Sequence, residues 1–288
     1  MPERESRRER TVGDLLRSAT THLAERPEST PRFEAELLLS QATGLSRSHL
    51  FAWPERLVGS AEGAAFDALL ARRLDGEPMA YIQGRQAFWT LDLKVSSATL
   101  IPRPETELLV EIALERLAPA APLAVADLGT GSGAIAAVLA SERPNWRLIA
   151  TDRSAAALAI ARENFRTLDL DRIAVLQGTW LDAFADGRLD AIVSNPPYIA
   201  GGDPHLARGD LRFEPPSALS PGGDGLDAIR AIAREARRCL RPGGVLIVEH
   251  GFDQGAAVRV LFRERGLGDP RTWKDLAGQE RVTLGVAT

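Results

Sequence analysis

Two short stretches of the 288-residue chain hold residue types suited to group-transfer chemistry. The first is Asn195-Pro196-Pro197-Tyr198, directly after the apolar run DAIVS. A residue that precedes proline is pushed towards extended backbone, so Asn195 and Pro196 are both fixed in β or polyproline geometry. Proline offers a carbonyl acceptor with no N–H donor. A primary amide or an aromatic amine presents two N–H donors. The Asn195 side-chain oxygen and the Pro196 carbonyl supply two acceptors, and Tyr198 offers a flat face for a planar group. The lone pair of such a nitrogen is delocalised, which makes it a poor nucleophile. Holding both N–H groups against an electrophilic methyl draws on the roughly 7–11 kcal/mol that proximity can supply. The competing reading of the tetrapeptide is a turn that ends a strand.

The second stretch is Asp127-Leu-Gly-Thr-Gly-Ser-Gly133, which follows a predicted strand and opens a predicted helix. Its glycines allow positive φ and close approach of backbone to a ligand. Asp152, at the end of the next predicted strand, is placed to accept hydrogen bonds from two ribose hydroxyls. Together they describe a nucleoside site. Gly129 to Ala134 also satisfies the G-x-G-x-x-A form of the dinucleotide fingerprint, so the loop alone leaves NAD open. Asp127 either holds the loop or touches ligand.

These residues need a scaffold, and the chain beyond Leu123 reads as one. Short apolar runs (LAVADLG, RLIATD, IAVLQG, DAIVSNPP, VLIVEHG) alternate with helical patterns at 133–142, 154–168, 225–240 and 254–266, which marks an α/β fold with a parallel sheet. Residues 268–275 and 280–286 read as a closing antiparallel hairpin around Gly278. Upstream, Val12, Leu15, Leu16 and Ala19, then Phe33, Leu37 and Leu38, then Phe66, Leu69, Leu70 and Leu74 recur at helical spacing, with turn chemistry at Pro27 to Pro31, Gly44, Pro54 and Gly76 to Pro78. A small helical bundle is expected over 1–85, a β-hairpin linker over 86–105 around Phe88, Trp89, Leu91 and Leu93, and a catalytic domain over 106–288. The segment 200–220, rich in Gly, Pro and Asp, is either a lid or an idle loop. Arg103 and Glu105 either shape the acceptor pocket or cap a helix.

Composition narrows the class. A chain with 44% hydrophobic residues can bury a core, and its net charge of −4 gives none of the broad positive field of a protein that tracks duplex DNA. Cys239 is the single cysteine and no Cys/His cluster has metal-ligand spacing, so a metal-free cytoplasmic protein is expected. MPERESRRER lacks the apolar run of a secretory leader, and no stretch is long and apolar enough for a membrane helix.

DLGTGSG, Thr151-Asp152 and NPPY in combination resemble the class I S-adenosylmethionine-dependent amino-methyltransferases. More narrowly, RRLDGEPMAYIQG, Phe88-Trp89, TLIPRPETE, SNPPYI, RFEPPSAL, EHG and ERVTLG look like the release-factor glutamine methyltransferases, the HemK family, over most of residues 32–285. The resemblance implies a doubly wound, mostly parallel, seven-stranded methyltransferase sheet with a closing antiparallel hairpin, preceded by the helical bundle. It implies methyl transfer from S-adenosylmethionine to the side-chain N5 of the glutamine in the GGQ loop of bacterial class-1 peptide-chain release factors, leaving S-adenosylhomocysteine. Gly129, Thr130, Gly131, Ser132 and Gly133 would lie along the methionine and ribose of the cofactor, with Asp152 on the ribose hydroxyls. Trp180 would stand beside the adenine, although an aromatic at a strand end is also ordinary packing. Asn195 would touch cofactor and acceptor, Pro196, Pro197 and Tyr198 would form the amide slot, and catalysis would fall to Asn195, Pro196 and Tyr198. Thr179 departs from the family, whose members often carry there an acidic residue able to meet adenine N6.

Nucleic-acid adenine-N6 methylation uses the same nitrogen chemistry, but it requires base flipping and a basic channel. Residues 1–85, with basic and acidic side chains nearly balanced, supply no such channel. An NAD-dependent oxidoreductase would lack an acid/base partner near NPPY, and a non-catalytic nucleoside-binding module would have no use for it. The expectation is a monomer that acts on a protein, with no direct nucleic-acid or membrane partner.

Overall fold

The computed structural model describes residues 10–26, 29–207 and 209–288; the charged N-terminal tail and Pro27 of the first turn lie outside the described residues. The chain divides at Gly84 into two compact units. The first runs through β1 (Arg10–Thr11), α1 (Val12–Leu23), α2 (Pro31–Thr43), α3 (Arg47–Ala52), β2 (Leu57–Val58), α4 (Ser60–Leu74) and α5 (Met79–Gln83). Thr11 starts α1 by accepting from the Asp14 N–H at 3.1 Å, and Gly44, at φ 72°, ends α2. Val12, Leu15, Leu16, Ala19 and Leu23 line one stripe of α1 and pack with Leu38, Leu39, Leu50 and Phe66 into a single core. The antiparallel β1–β2 pair has two residues per strand, too few for an alternating pattern to show in sequence.

The buried stripe of α2 differs from the one its apolar residues suggest: Phe33 lies exposed and Glu34 is buried. The cause is Arg73, itself buried, whose Nε and guanidinium nitrogen donate to the two Glu34 oxygens at 2.8 and 3.2 Å. Burial opposes ionisation of Glu34, yet Arg73 and the Thr30 N–H hold its carboxyl below the ordinary value.

The second unit begins with the hairpin β3 (Arg85–Phe88) and β4 (Leu91–Lys94), followed by a 3-10 turn (Pro104–Thr106) that leads into α6 (Glu107–Arg116). Then come β5 (Ala124–Leu128), α7 (Ala134–Glu142), β6 (Arg147–Asp152), α8 (Ala155–Thr167), β7 (Ala174–Gln177), β8 (Leu189–Ser194), α9 (Pro216–Leu219), α10 (Asp227–Cys239), β9 (Leu240–Glu249), α11 (Gly255–Glu264), β10 (Leu267–Lys274) and β11 (Glu280–Ala287). Seven strands form one sheet in the order β10-β11-β9-β8-β5-β6-β7, parallel from β9 to β7 and antiparallel at β11 and β10. This is the doubly wound α/β fold with its closing hairpin.

Alternate residues of β5 feed opposite faces: Val125 joins the core beneath α6 and α7, and Ala124, Ala126 and Leu128 join the core beneath α10 and α11. Helix α7 (AIAAVLASE) is buried from Ala134 through Ala140, as a helix apolar on all sides must be. The chain leaves β5 in one direction towards β6 and returns on its other side as β8, so the sheet has its topological switch between β5 and β8, where open α/β sheets bind ligands. Among the described residues no helix is long and apolar enough to cross a membrane.

Glu34→Ala removes the buried carboxylate that accepts two of the Arg73 hydrogen bonds and is expected to destabilise the first unit by about 3–5 kcal/mol in denaturant unfolding at neutral pH. Because the Glu34 carboxyl is held low when folded, its stabilisation is present above the unfolded-state value and fades as pH falls through the folded one. The difference between wild type and variant should therefore narrow on acidification; a loss under 1 kcal/mol at pH 7 would count against the pair's importance.

Candidate active site

The glycine loop leaves β5 with Gly129, Gly131 and Gly133 at φ 69°, 56° and 86°. Gly133 is also fixed by packing, since a Cβ there would stand 2.6 Å from Phe165 Cε1 of α8. The loop is tied down on three sides. Thr130 N–H donates to the Thr151 carbonyl at 2.8 Å. Asp127, fully buried, accepts from the Thr130 hydroxyl at 2.6 Å and from the Ala136 N–H at 3.2 Å, which pins the loop to the first turn of α7. Its role is therefore to hold the loop. Burial pushes its carboxyl up to about 7, the two hydrogen bonds opposing the rise. Asn164 of α8, a residue with no motif around it, donates to the carbonyls of Ser132 (2.8 Å) and Lys94 (3.0 Å) and accepts from the Lys94 N–H (2.7 Å), so it joins loop, helix and hairpin.

Asp152 ends β6 beside the loop. One carboxylate oxygen accepts from the Gly131 N–H at 3.1 Å and the other from the Ser154 N–H at 2.8 Å. A carboxylate has about four lone-pair sites, so both oxygens keep capacity for a diol. Trp180, at φ 46°, reaches over Gly129: a Cβ on that glycine would meet Trp180 Cζ3 at 3.5 Å. The indole also packs on the core beneath α10, so it serves both packing and the site wall.

Asn195 follows β8. Its Nδ2 donates to the Thr106 hydroxyl at 3.0 Å, which leaves Oδ1 as its acceptor. The Tyr198 hydroxyl donates to Glu249 Oε1 at 3.1 Å, and the Tyr198 carbonyl accepts from Gln254 Nε2 at 3.0 Å. Burial, with the Glu249 charge next, pushes the Tyr198 phenol well above its ordinary range.

Two loops close over the site. Glu214, buried, pairs with Arg103 and accepts from the Ile101 N–H at 3.0 Å, joining the IPRPE segment to RFEPP. Arg103 thus shapes the pocket through Glu214. Burial raises the Glu214 carboxyl and the Arg103 charge opposes it. Pro102 from one loop and Pro215, Ser217 and Pro221 from the other line the cavity, so the far end of the 200–220 segment is part of the site wall.

The cavity has a volume of about 400 Å³. Gly129, Thr130, Gly131, Ser132, Asp152, Trp180, Asn195 and Pro197 all line it, as does Thr179. Gly133, Pro196 and Tyr198 stand outside the lining. Thr106, Glu214 and Glu249 fall within TLIPRPETE, RFEPPSAL and EHG and Asn164 within no motif, but the sequence assigns none of the four a role, because those roles arise only where distant segments meet.

A doubly wound sheet that gathers a glycine loop, an acidic residue at the next strand end and the Asn195 and Pro197 of an Asn-Pro-Pro-Tyr motif at one cavity is that of a methyltransferase. Residues 105–224 match the family described as methyltransferase small domain, and residues 14–84 match the PrmC N-terminal domain. A solved methyltransferase structure from Pyrococcus furiosus shares the fold with a TM-score of 0.52 at 20% identity, over 75% of this chain and 95% of that one. The chain belongs to the release factor glutamine methyltransferase family: it is 54% identical to the protein of that name from Xylella fastidiosa (strain Temecula1), over 91% of this chain and 96% of the relative. It is 52% identical to that of Pseudomonas aeruginosa, over 96% and 98%.

Gly133→Ala combines an unfavourable positive φ with a clash against Phe165 and is expected to cost about 2–4 kcal/mol in thermal unfolding. Phe165→Leu in the same chain should recover part of that loss. A stability change under 0.5 kcal/mol would contradict the packing role.

Proposed function

We propose that this protein transfers a methyl group from S-adenosylmethionine to the side-chain N5 of the GGQ-loop glutamine in bacterial class-1 peptide-chain release factors. The observation that carries this reading is the convergence of the glycine loop, Asp152 and the Asn195 corner on one cavity, in a chain of the release factor glutamine methyltransferase family. A volume of about 400 Å³ suits a nucleoside with a side arm, and the positive-φ glycines and the carboxylate of Asp152 suit its backbone-facing edge and its diol. When bound, S-adenosylmethionine supplies an electrophilic methyl on a sulfonium sulfur.

The chain's own residues do the rest. Gly129 to Gly133 seat the methionine and ribose part, Asp152 accepts from the ribose hydroxyls, and Trp180 flanks the adenine. Asn195 Oδ1 and the Pro196 carbonyl accept the two N–H groups of the glutamine amide, while Pro197 lines the slot and Tyr198, held by Glu249 outside the lining, backs it. Two acceptors on those N–H groups raise electron density at nitrogen and orient it. No metal enters the reaction. The reading is of a cytoplasmic monomer with a protein partner and no direct nucleic-acid or membrane partner.

The first unit, residues 1–84, recognises the folded release factor away from the reacting glutamine. Phe33, Phe51, Trp53 and Leu57 are exposed there, with Phe51 79% accessible, and exposed aromatics are the side chains that anchor protein interfaces.

With labelled S-adenosylmethionine, the purified protein is expected to label a release factor and not DNA; label on DNA with an unmodified release factor would overturn the substrate. Asn195→Ala is expected to lower transfer about a hundredfold or more, the scale of losing one preorganised polar arm, with S-adenosylhomocysteine affinity at least partly kept. Near-wild-type turnover would sink the amide clamp. Calorimetry showing tight NAD binding without S-adenosylhomocysteine binding would overturn the cofactor. The pair Phe51→Ala and Trp53→Ala should raise KM for the release factor about fivefold with S-adenosylhomocysteine affinity unchanged; an unaltered KM would remove the recognition surface.

A further inference from the structure

Glu249 ends β9 and takes no part in the binding described above. It is 1% exposed, and its Oε2 is buried without a hydrogen-bond partner. Its Oε1 accepts from the Tyr198 hydroxyl at 3.1 Å. Thr106, 4% exposed in the turn before α6, accepts from Asn195 Nδ2 at 3.0 Å, and its hydroxyl lies close enough to Glu249 to favour the charged carboxylate. Both ends of the Asn195–Tyr198 tetrapeptide therefore lead to one buried carboxyl.

An asparagine amide has nearly the same shape at both ends, so its partners decide which end faces a ligand. A hydroxyl can turn either way, whereas an ionised carboxylate accepts only. Beside the carboxylate, whose Oε2 has no other donor, the Thr106 hydroxyl is free to turn its hydrogen towards Glu249 and keep a lone pair for Asn195 Nδ2. We propose that Glu249 is a positioning residue that acts through Thr106 to hold the Asn195 amide with its oxygen, and not its nitrogen, towards the acceptor –NH₂. When the carboxylate is lost, the Thr106 hydrogen is free to bond Asn195 Oδ1. The amide then turns, and donors face the two N–H groups of the substrate. The inference rests on reading the acceptor as a primary amide.

The charges around Glu249 bring this arrangement into the working pH range. Burial pushes the carboxyl up to about 7; the Thr106 and Tyr198 hydroxyls and Arg281 of β11 oppose the rise, and Glu105 adds to it. The adjoining His250 ring is engaged by the Thr283 hydroxyl and the Gly251 carbonyl, both at 2.8 Å, and burial pushes its pKa down. Glu249 is the group in this set placed to ionise near neutrality.

The test is kcat at saturating S-adenosylmethionine and release factor, with the dissociation constant of S-adenosylhomocysteine measured alongside, for wild type, Glu249→Gln, Thr106→Val and Thr106→Ser. Glu249→Gln and Thr106→Val are expected to lose at least about tenfold in kcat while affinity stays within about twofold, and Thr106→Ser should keep at least about half of kcat. Wild-type kcat should rise as pH rises through about 7, and that of Glu249→Gln should stay low and flat. A wild-type kcat in either impaired variant, a Thr106→Ser as poor as Thr106→Val, or a pH rise retained in Glu249→Gln would overturn the proposal. So would loss of S-adenosylhomocysteine binding in Glu249→Gln, which would assign Glu249 to the fold alone. Failure of the proposed substrate shows as no transfer by the wild type, and failure of this inference shows in the variants and in the pH profiles of an active wild type.

Discussion

The parallel pairing of β5 with β8 sets the whole site. Leu128 lies opposite Ser194, and the Ser194 hydroxyl donates to the Leu128 carbonyl at 2.8 Å. The same row continues outwards, with Thr151 of β6 opposite Leu128 and Val248 of β9 opposite Ser194. One residue past this row of four stand Asp152, Gly129, Asn195 and Glu249. The glycine loop, Asp152, Asn195 and Glu249 thus share one edge because their strands run the same way in one register. A slip of one residue in any pair would send its side chains to the opposite face, so the buried cores on both faces of the sheet also protect the geometry of the site.

That edge collects polar groups the core would otherwise exclude. Asp127, Thr106, Ser194, Glu214 and Glu249 are all buried, and each costs desolvation that its hydrogen bonds must offset. Asp127 spends its bonds on the glycine loop and Glu214 on the two loops that close the cavity. Glu249 and Asp127 each keep one oxygen without a partner. The fold therefore carries local electrostatic cost where rigid positioning matters, and the apolar helix α7 and the cores on both faces of the sheet supply the stability that tolerates it.

The local parts of this design were legible in the sequence. The alternation of apolar runs with helical patterns located the strands and helices of the sheet, because a strand buried on both faces and an amphipathic helix each leave a local pattern. The Gly129 loop, Asp152 and Asn195 were visible because fixed backbone geometry demands particular residue types. What arises from distant segments was not. Glu34 reads as a solvated position until Arg73 is seen beside it, thirty-nine residues on. The two-residue β1–β2 pair has no period to detect. The partner of the Tyr198 hydroxyl, Glu249, lies fifty-one residues away and leaves no mark on the tetrapeptide itself. Thr106 and Glu214 become meaningful only once the sheet brings Asn195 and Arg103 to them.

The central claim is that the amide slot built on Asn195 accepts a glutamine side chain of a release factor. Mass spectrometry of release factors from cells lacking this protein tests it most directly. The GGQ peptide is expected without its methyl group, and wild-type protein supplied to those cells should restore the modification where Asn195→Ala does not. A GGQ glutamine still methylated to the normal extent in the absence of the protein would contradict it.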